Sequence, residues 1–293
     1  MQLQLSAAGP ATTRTITAML TLQIWPILVT SVTVIVVYTP VLSKLVKDWW
    51  NLPDYSHGFL IPAFCALVLW RRRTELAQLT SRPSWNGLWL ILLAMAMMAA
   101  GQIGAELFIS RVSLVVLIAG LVVLYAGWSV LRAAMFPWAI LLLAIPIPAI
   151  IFNQITFPLQ LVASRIAGTL LPLADVPVLR QGNVLILPSV PLEVAEACSG
   201  VRSLIALVTL SVIYGYVAET KRWRQVALLL SSIPIAVMAN AMRIMVTGVA
   251  VQCWNPEKAL GLLHSFSGVF TFLLALILMY GTHGMLRLLG ENH

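Results

Sequence analysis

Long apolar runs separated by short polar breaks dominate this chain. A helix needs about 20 mostly apolar residues to cross about 30 Å of hydrocarbon. On that rule, spans are expected near 18–42, 58–70, 86–104, 112–131, 133–152, 200–218, 226–250 and 266–286. The pattern predicts an all-α polytopic membrane protein with about eight transmembrane helices, forming a single integral membrane domain over 1–293. The second run is short, so its helix begins within the preceding loop or is partly re-entrant. Pro146 and Pro148, near the end of the fifth, are expected to kink or stop it.

One long stretch, 153–199, does not read as a span. "NQITFPLQLVASRIAGTLLPL" is interrupted by polar residues and predicts an amphipathic helix lying at the outer interface. After it, Gln181-Gly182-Asn183 sits between short β-branched runs, which predicts a small β-hairpin. Unpaired strand edges cannot face lipid, so this hairpin is expected to cap the outer face and lead directly to Cys198. Ser56 is placed to cap the helix expected to open at Gly58.

Composition narrows the class. Hydrophobic residues make up 60% and charged residues 10%, against about 45–50% and about 25% in soluble domains. Water-soluble readings are excluded. Lys and Arg number 18 against 10 acidic residues, and their distribution orients the chain. With the N-terminus inside, the dense clusters "WRRRTE" and "ETKRWRQ" both fall on the inner side. Lys44, Lys47, Arg111, Arg165, Arg180 and Lys258 fall outside, and the result is N-in/C-in. Scattered basic residues argue against nucleic-acid binding. Three dispersed cysteines make no disulfide framework, and Cys65 reads as core filler. No A-x-A site follows an early apolar run, so the first span is expected to act as its own insertion signal.

Within this frame, the polar residues of three consecutive spans meet at the outer side. Cys198 and Arg202 sit at the outer start of the sixth, Arg243 lies in the outer part of the seventh, and His264 sits at the outer start of the eighth. A thiol at a helix N-terminus, or beside a cation, is biased toward the thiolate. A histidine in reach can take its proton and return it to a leaving amine. An arginine can stabilise the oxyanion of a tetrahedral intermediate. Together they imply acyl transfer from a peptide through a thioester.

Each residue also has a plainer reading. Cys198 would be a small hydrophobe, His264 a helix cap or interfacial side chain, and Arg202 a partner for Glu193 or Glu196. Arg243 is the hardest to dismiss, because an arginine within a span needs a partner or a cavity. Asn240, one turn before it, either orients it or bonds between helices. The aromatic stretch "DWWNLPDYSHGFLIP" supplies Tyr55 and His57, and His57 competes with His264 for the role of base. The stretch is otherwise an interfacial aromatic belt with a capping turn.

"EACSGVRSL", "NAMRI" and "HSFSG", preceded by "YSHGFLIP", resemble the exosortase/archaeosortase family over about residues 45–285. The resemblance implies a polytopic membrane cysteine protease or transpeptidase. It matches the family's proposed nucleophile to Cys198, its arginine to Arg243 and its histidine to His264. Implied substrates are exported proteins ending in a short motif (Pro-Glu-Pro in many bacterial systems), one transmembrane helix and a basic tail. Implied too are an association with exopolysaccharide production, a Gram-negative inner-membrane location with the site facing the periplasm, and a short, core-only form.

The sequence therefore predicts a membrane-embedded cysteine endopeptidase or transpeptidase. Cys198 attacks, His264 shuttles the proton and Arg243 stabilises the oxyanion, while Glu196 and Arg202 shape the entrance. No metal or organic cofactor is expected. Two alternatives remain open: a non-enzymatic transporter or assembly component for polysaccharide or lipid, and a membrane thiol acyltransferase.

Overall fold

The computed structural model describes residues 10–193, 200–253 and 256–291. Among the described residues the chain is helical apart from one small sheet, and six helices are long and apolar enough to cross a membrane. Helix α1 (Pro10–Asn51) opens the fold and runs on through Lys44 and Lys47, past the expected end at 42. A tight 3-10 turn (Pro53–Phe59) then leads into α2 (Leu60–Arg71) and the short α3 (Arg73–Gln78). Ser56 lies inside that turn, and α2 opens at Leu60, two residues after the expected Gly58, with Phe59 at its N-cap position.

The two next spans, α4 (Asn86–Ile103) and α5 (Leu107–Tyr125), form an antiparallel pair. Buried hydrogen bonding between Tyr38 Oη and Ser113 Oγ joins α1 to α5 at 3.2 Å. Asp48 of α1 accepts from the buried Arg111 of α5, which gives an otherwise costly interior cation its counter-charge.

The expected fifth span, 133–152, is instead a broken element. It consists of α6 (Trp128–Ala133), α7 (Met135–Ile140) and a 3-10 turn (Leu141–Ala144). Helix stops at Ala144 because Pro146 and Pro148 follow: each lacks an N–H and disfavours helix in the residue before it. Helix α8 (Ala149–Leu170) begins directly after Pro148 and ends in a 3-10 turn (Leu171–Ala174). Expected only as an interfacial helix, this segment is also long and apolar enough to span.

The predicted hairpin is β1 (Leu179–Gln181) and β2 (Val184–Ile186), joined by the two-residue loop Gly182-Asn183. Gly182 adopts φ 64, a conformation that costs glycine little and explains its place in this turn. A third strand, β3 (Pro191–Glu193), pairs antiparallel to β2 with Val184 opposite Glu193. Leu185 and Leu192 point inward from neighbouring strands and pack with Ala163 and Ala167 of α8.

Three helices complete the chain: α9 (Gly200–Ala218), α10 (Arg222–Cys253) and α11 (Pro256–Glu291), of 19, 32 and 36 residues. Small residues at their contacts, Ala236, Ala239 and Ala275, are almost wholly buried and let the backbones approach. At the end where α9 passes into α10, the Glu219 carboxylate binds three partners. His283 Nε2 lies at 2.6 Å, Arg287 Nε at 3.0 Å and Arg224 Nη1 at 3.3 Å. Tyr214 Oη sits 2.6 Å from His283 Nδ1. An ionised carboxylate only accepts, so His283 donates from Nε2 and its Nδ1 meets the tyrosine. Burial by itself would raise the Glu219 carboxyl, but the hydrogen bonds from His283, Arg287 and Arg224 outweigh it and hold the group down at about 2.

Candidate functional site

The opposite end of α9 is the region to which the sequence assigns its chemistry. Cys198 and Glu196 lie outside the described residues, as do the side chains of Arg202 and His264. The backbone places Arg202 in the first turn of α9 and His264 in the early turns of α11.

Arg243 and Asn240 are both present in α10, and both are 5% exposed. With Thr247, also buried, they recur at the spacing that puts side chains on one helical face. Thr247 and the buried Thr271 of α11 were not singled out in the sequence, although the 240, 243, 247 spacing was there to be seen. Among the described residues Asn240 Oδ1 has no hydrogen-bond partner. A guanidinium is charged at every accessible pH and offers five N–H donors in a fixed plane. A guanidinium held this deeply has the chemistry to stabilise a developing negative charge.

Neighbouring elements hold this face in place. Ala241 and Ile244, flanking the arginine, pack beneath Leu185 and Leu192 of the sheet and against α8. Ala236 and Ala239, one to two turns earlier, pack with Leu204 near the start of α9. The sheet and α8 therefore cover one flank of α10 around Arg243, and the start of α9 covers another.

The turn carrying Tyr55 and His57 packs against α9 from a third direction, with Tyr55 in the same cluster as Ile205. Tyr55 and His57 are neighbours, their ring centroids 6.1 Å apart. Tyr55 is buried, and its hydroxyl accepts from the Ile147 N–H at 3.1 Å. Ile147 stands between Pro146 and Pro148, so this is the only backbone donor in that tripeptide. Tyr55 thus acts as a brace between two loops, a role its partner's distance in sequence had hidden.

Gly58 has a comparable structural reason. A Cβ there would come within 2.3 Å of Trp49 Nε1, and that indole donates to the Ala144 carbonyl at 2.7 Å. Much of "YSHGFLIP" therefore seats the end of α1 against the proline-rich break. Cys65 is buried and donates weakly to the Pro137 carbonyl, in keeping with a packing role.

The geometry is that of an interior arginine face beside the N-terminal start of a helix, walled by a small sheet, by α8 and by an aromatic turn. No curated protein and no solved structure matches the chain. The family described as Transmembrane exosortase matches residues 49–281, which takes in the aromatic turn, the sheet, Cys198, Arg243 and His264. This integral membrane protein belongs to the transmembrane exosortase family, a family of protein-sorting peptidases and transpeptidases.

Proposed function

We propose that the chain is a cysteine endopeptidase or transpeptidase that removes the C-terminal sorting signal of exported proteins at the outer face of the inner membrane. The observation that carries this reading is Arg243. It is a permanently charged residue, 5% exposed, in an apolar helix beside the start of α9. Cys198 stands two residues before that start, so chain connectivity keeps it within about 7 Å of Gly200.

In the proposed reaction, His264 accepts the Cys198 proton, and the thiolate attacks the scissile carbonyl. Arg243 stabilises the oxyanion, and collapse to the thioester expels the amine, which takes the proton back from His264. Water or an acceptor amine then resolves the thioester. Glu196 and Arg202 shape the entrance, Asn240 lines the same helical face as Arg243 with its Oδ1 open to a donor, and His57 is the competing base. N-in/C-in orientation puts the site outside and the Glu219 end inside.

The transporter reading draws on the Tyr214–His283–Glu219 string, half-buried at the tyrosine and buried at the other two, because such chains can relay protons across membranes. Glu219 argues against it, since a carboxyl held at about 2 stays ionised and does not cycle a proton near neutrality.

The test is co-expression of a tailed reporter (a soluble domain, a Pro-Glu-Pro segment, one membrane helix and an Arg-rich tail) with wild type or Cys198→Ala. Loss of the reporter's helix only with wild type is expected, and the new C-terminus separates hydrolysis from transfer. Equal reporter mass with both, at confirmed expression, removes the proposal.

A further inference from the structure

A groove of ≈480 Å³ opens between the first turns of α8 and the tip of the hairpin, lined by Asn153, Gln154, Thr156, Phe157, Gln160 and Asn183. Its size is within the range of about 300–1,000 Å³ usual for ligand sites. Four of the six lining side chains are carboxamides and none is charged. Positions 153, 156, 157 and 160 share one face of α8. Among the described residues, none of the four carboxamides makes a side-chain hydrogen bond to another part of the chain. Three of them, Asn153, Gln154 and Gln160, stand on a helix that is otherwise apolar enough to span a membrane, and Asn183 stands at the hairpin tip.

Sheet register links this groove to the candidate nucleophile. Asn183 precedes Val184, and Val184 pairs with Glu193, the last residue of β3. Cys198 follows Glu193 by five residues, so a fully extended chain keeps it within about 18 Å. The hairpin tip that forms one wall of the groove is thus a short tether away from the residue proposed to attack.

A carboxamide carries one acceptor oxygen and two N–H donors, the complement of a backbone peptide unit. A row of them can bond an extended main chain whatever its side chains, and Phe157 offers an apolar wall. Without a charge, the groove has no means to neutralise a carboxylate, so an acidic motif residue would have to be read elsewhere.

We infer that this groove binds an extended, uncharged stretch of the substrate polypeptide next to its scissile bond, through hydrogen bonds from the four carboxamides to its backbone. The inference rests on the peptidase reading above. All four carboxamide side chains are exposed or half-buried, so their replacement leaves the packed core intact.

The test uses the full chain in membranes with the tailed reporter, comparing wild type with Gln154→Ala/Gln160→Ala and with Asn153→Ala/Asn183→Ala. Loss of two backbone hydrogen bonds predicts processing slowed roughly 30-fold at unchanged protein level. A photo-crosslinking residue at position 154 of the Cys198→Ala chain should capture the reporter, with the adduct in the residues just before its membrane helix. Wild-type processing by both double variants overturns the groove assignment alone. So does capture of polysaccharide in place of the reporter, or capture of the reporter only within its membrane helix. If wild type processes the reporter no better than Cys198→Ala, the peptidase reading falls and takes the groove assignment with it.

Discussion

Glu219 and His283 are 2.6 Å apart across a separation of 64 residues, and they fasten α11 to the junction of α9 and α10. The same carboxylate also holds Arg224 and Arg287. These three helices are the ones to which the sequence assigns Cys198, Arg243 and His264, on the side away from Glu219. About 28 Å of helix separates the clamp from the start of α9.

Glu219→Gln should therefore lower stability by about 3 kcal/mol, because it leaves the buried Arg224 without its counter-charge. The effect should depend on pH. Folding lowers the Glu219 carboxyl from 4.5 to about 2, so the stability it contributes is present above 4.5 and is lost as pH falls toward 2. Thermal melts in detergent would show the gap between wild type and Glu219→Gln closing across that window. A gap that stayed constant down to pH 2 would show that the ionised carboxylate does not hold the clamp.

Arg243→Lys should process a tailed reporter about 100-fold more slowly than wild type while inserting normally. A lysine is a point charge and cannot reproduce a planar fork of donors aimed at an oxyanion. Initial rates at matched protein levels would check this, and near-wild-type rates would leave Arg243 a structural charge.

The two histidines can be told apart in the same assay. His264→Ala should lose nearly all processing and His57→Ala should retain a measurable rate. The reverse result would transfer the base to the aromatic turn.

Tyr55→Phe removes the acceptor for the Ile147 N–H. An interior donor left without a partner costs about 1–3 kcal/mol, so the melt should shift down while folded protein still processes the reporter. A variant of unchanged stability but no activity would give Tyr55 a part in binding or positioning the substrate.

Gly58→Ala should destabilise the chain by about 1–3 kcal/mol, since its Cβ would press into the Trp49 ring and displace the indole from Ala144. Combining it with Trp49→Phe should recover part of the loss, because the steric conflict eases.

The long helices were legible because burial in lipid demands unbroken apolar runs, and α4 departs by one residue from the expected 86–104. The hairpin was legible from Gln181-Gly182-Asn183, where the turn needs a glycine. Hydropathy could not foresee the break between α6 and α7, since it weighs side chains and ignores backbone hydrogen bonding. Nor did it mark β3, three residues beginning with a proline. At the site, Arg243 and Asn240 stood out because polarity within a span is expensive. Tyr55 and Glu219 gave no such signal: their partners are 92 and 64 residues away, and only the folded chain brings them together.

The unequal lengths of the last three helices turn the clamp into a ruler. Flush at Glu219, α10 runs about 20 Å farther than α9, so the start of α9 stands on a step at a fixed height. Under the proposed function, a substrate helix lying along α9 is measured against that height. Each residue added to it would carry the scissile bond about 1.5 Å past the step, and three would carry it most of a helical turn. The nineteen residues of α9 would then select substrates by the length of their membrane anchor as well as by their motif.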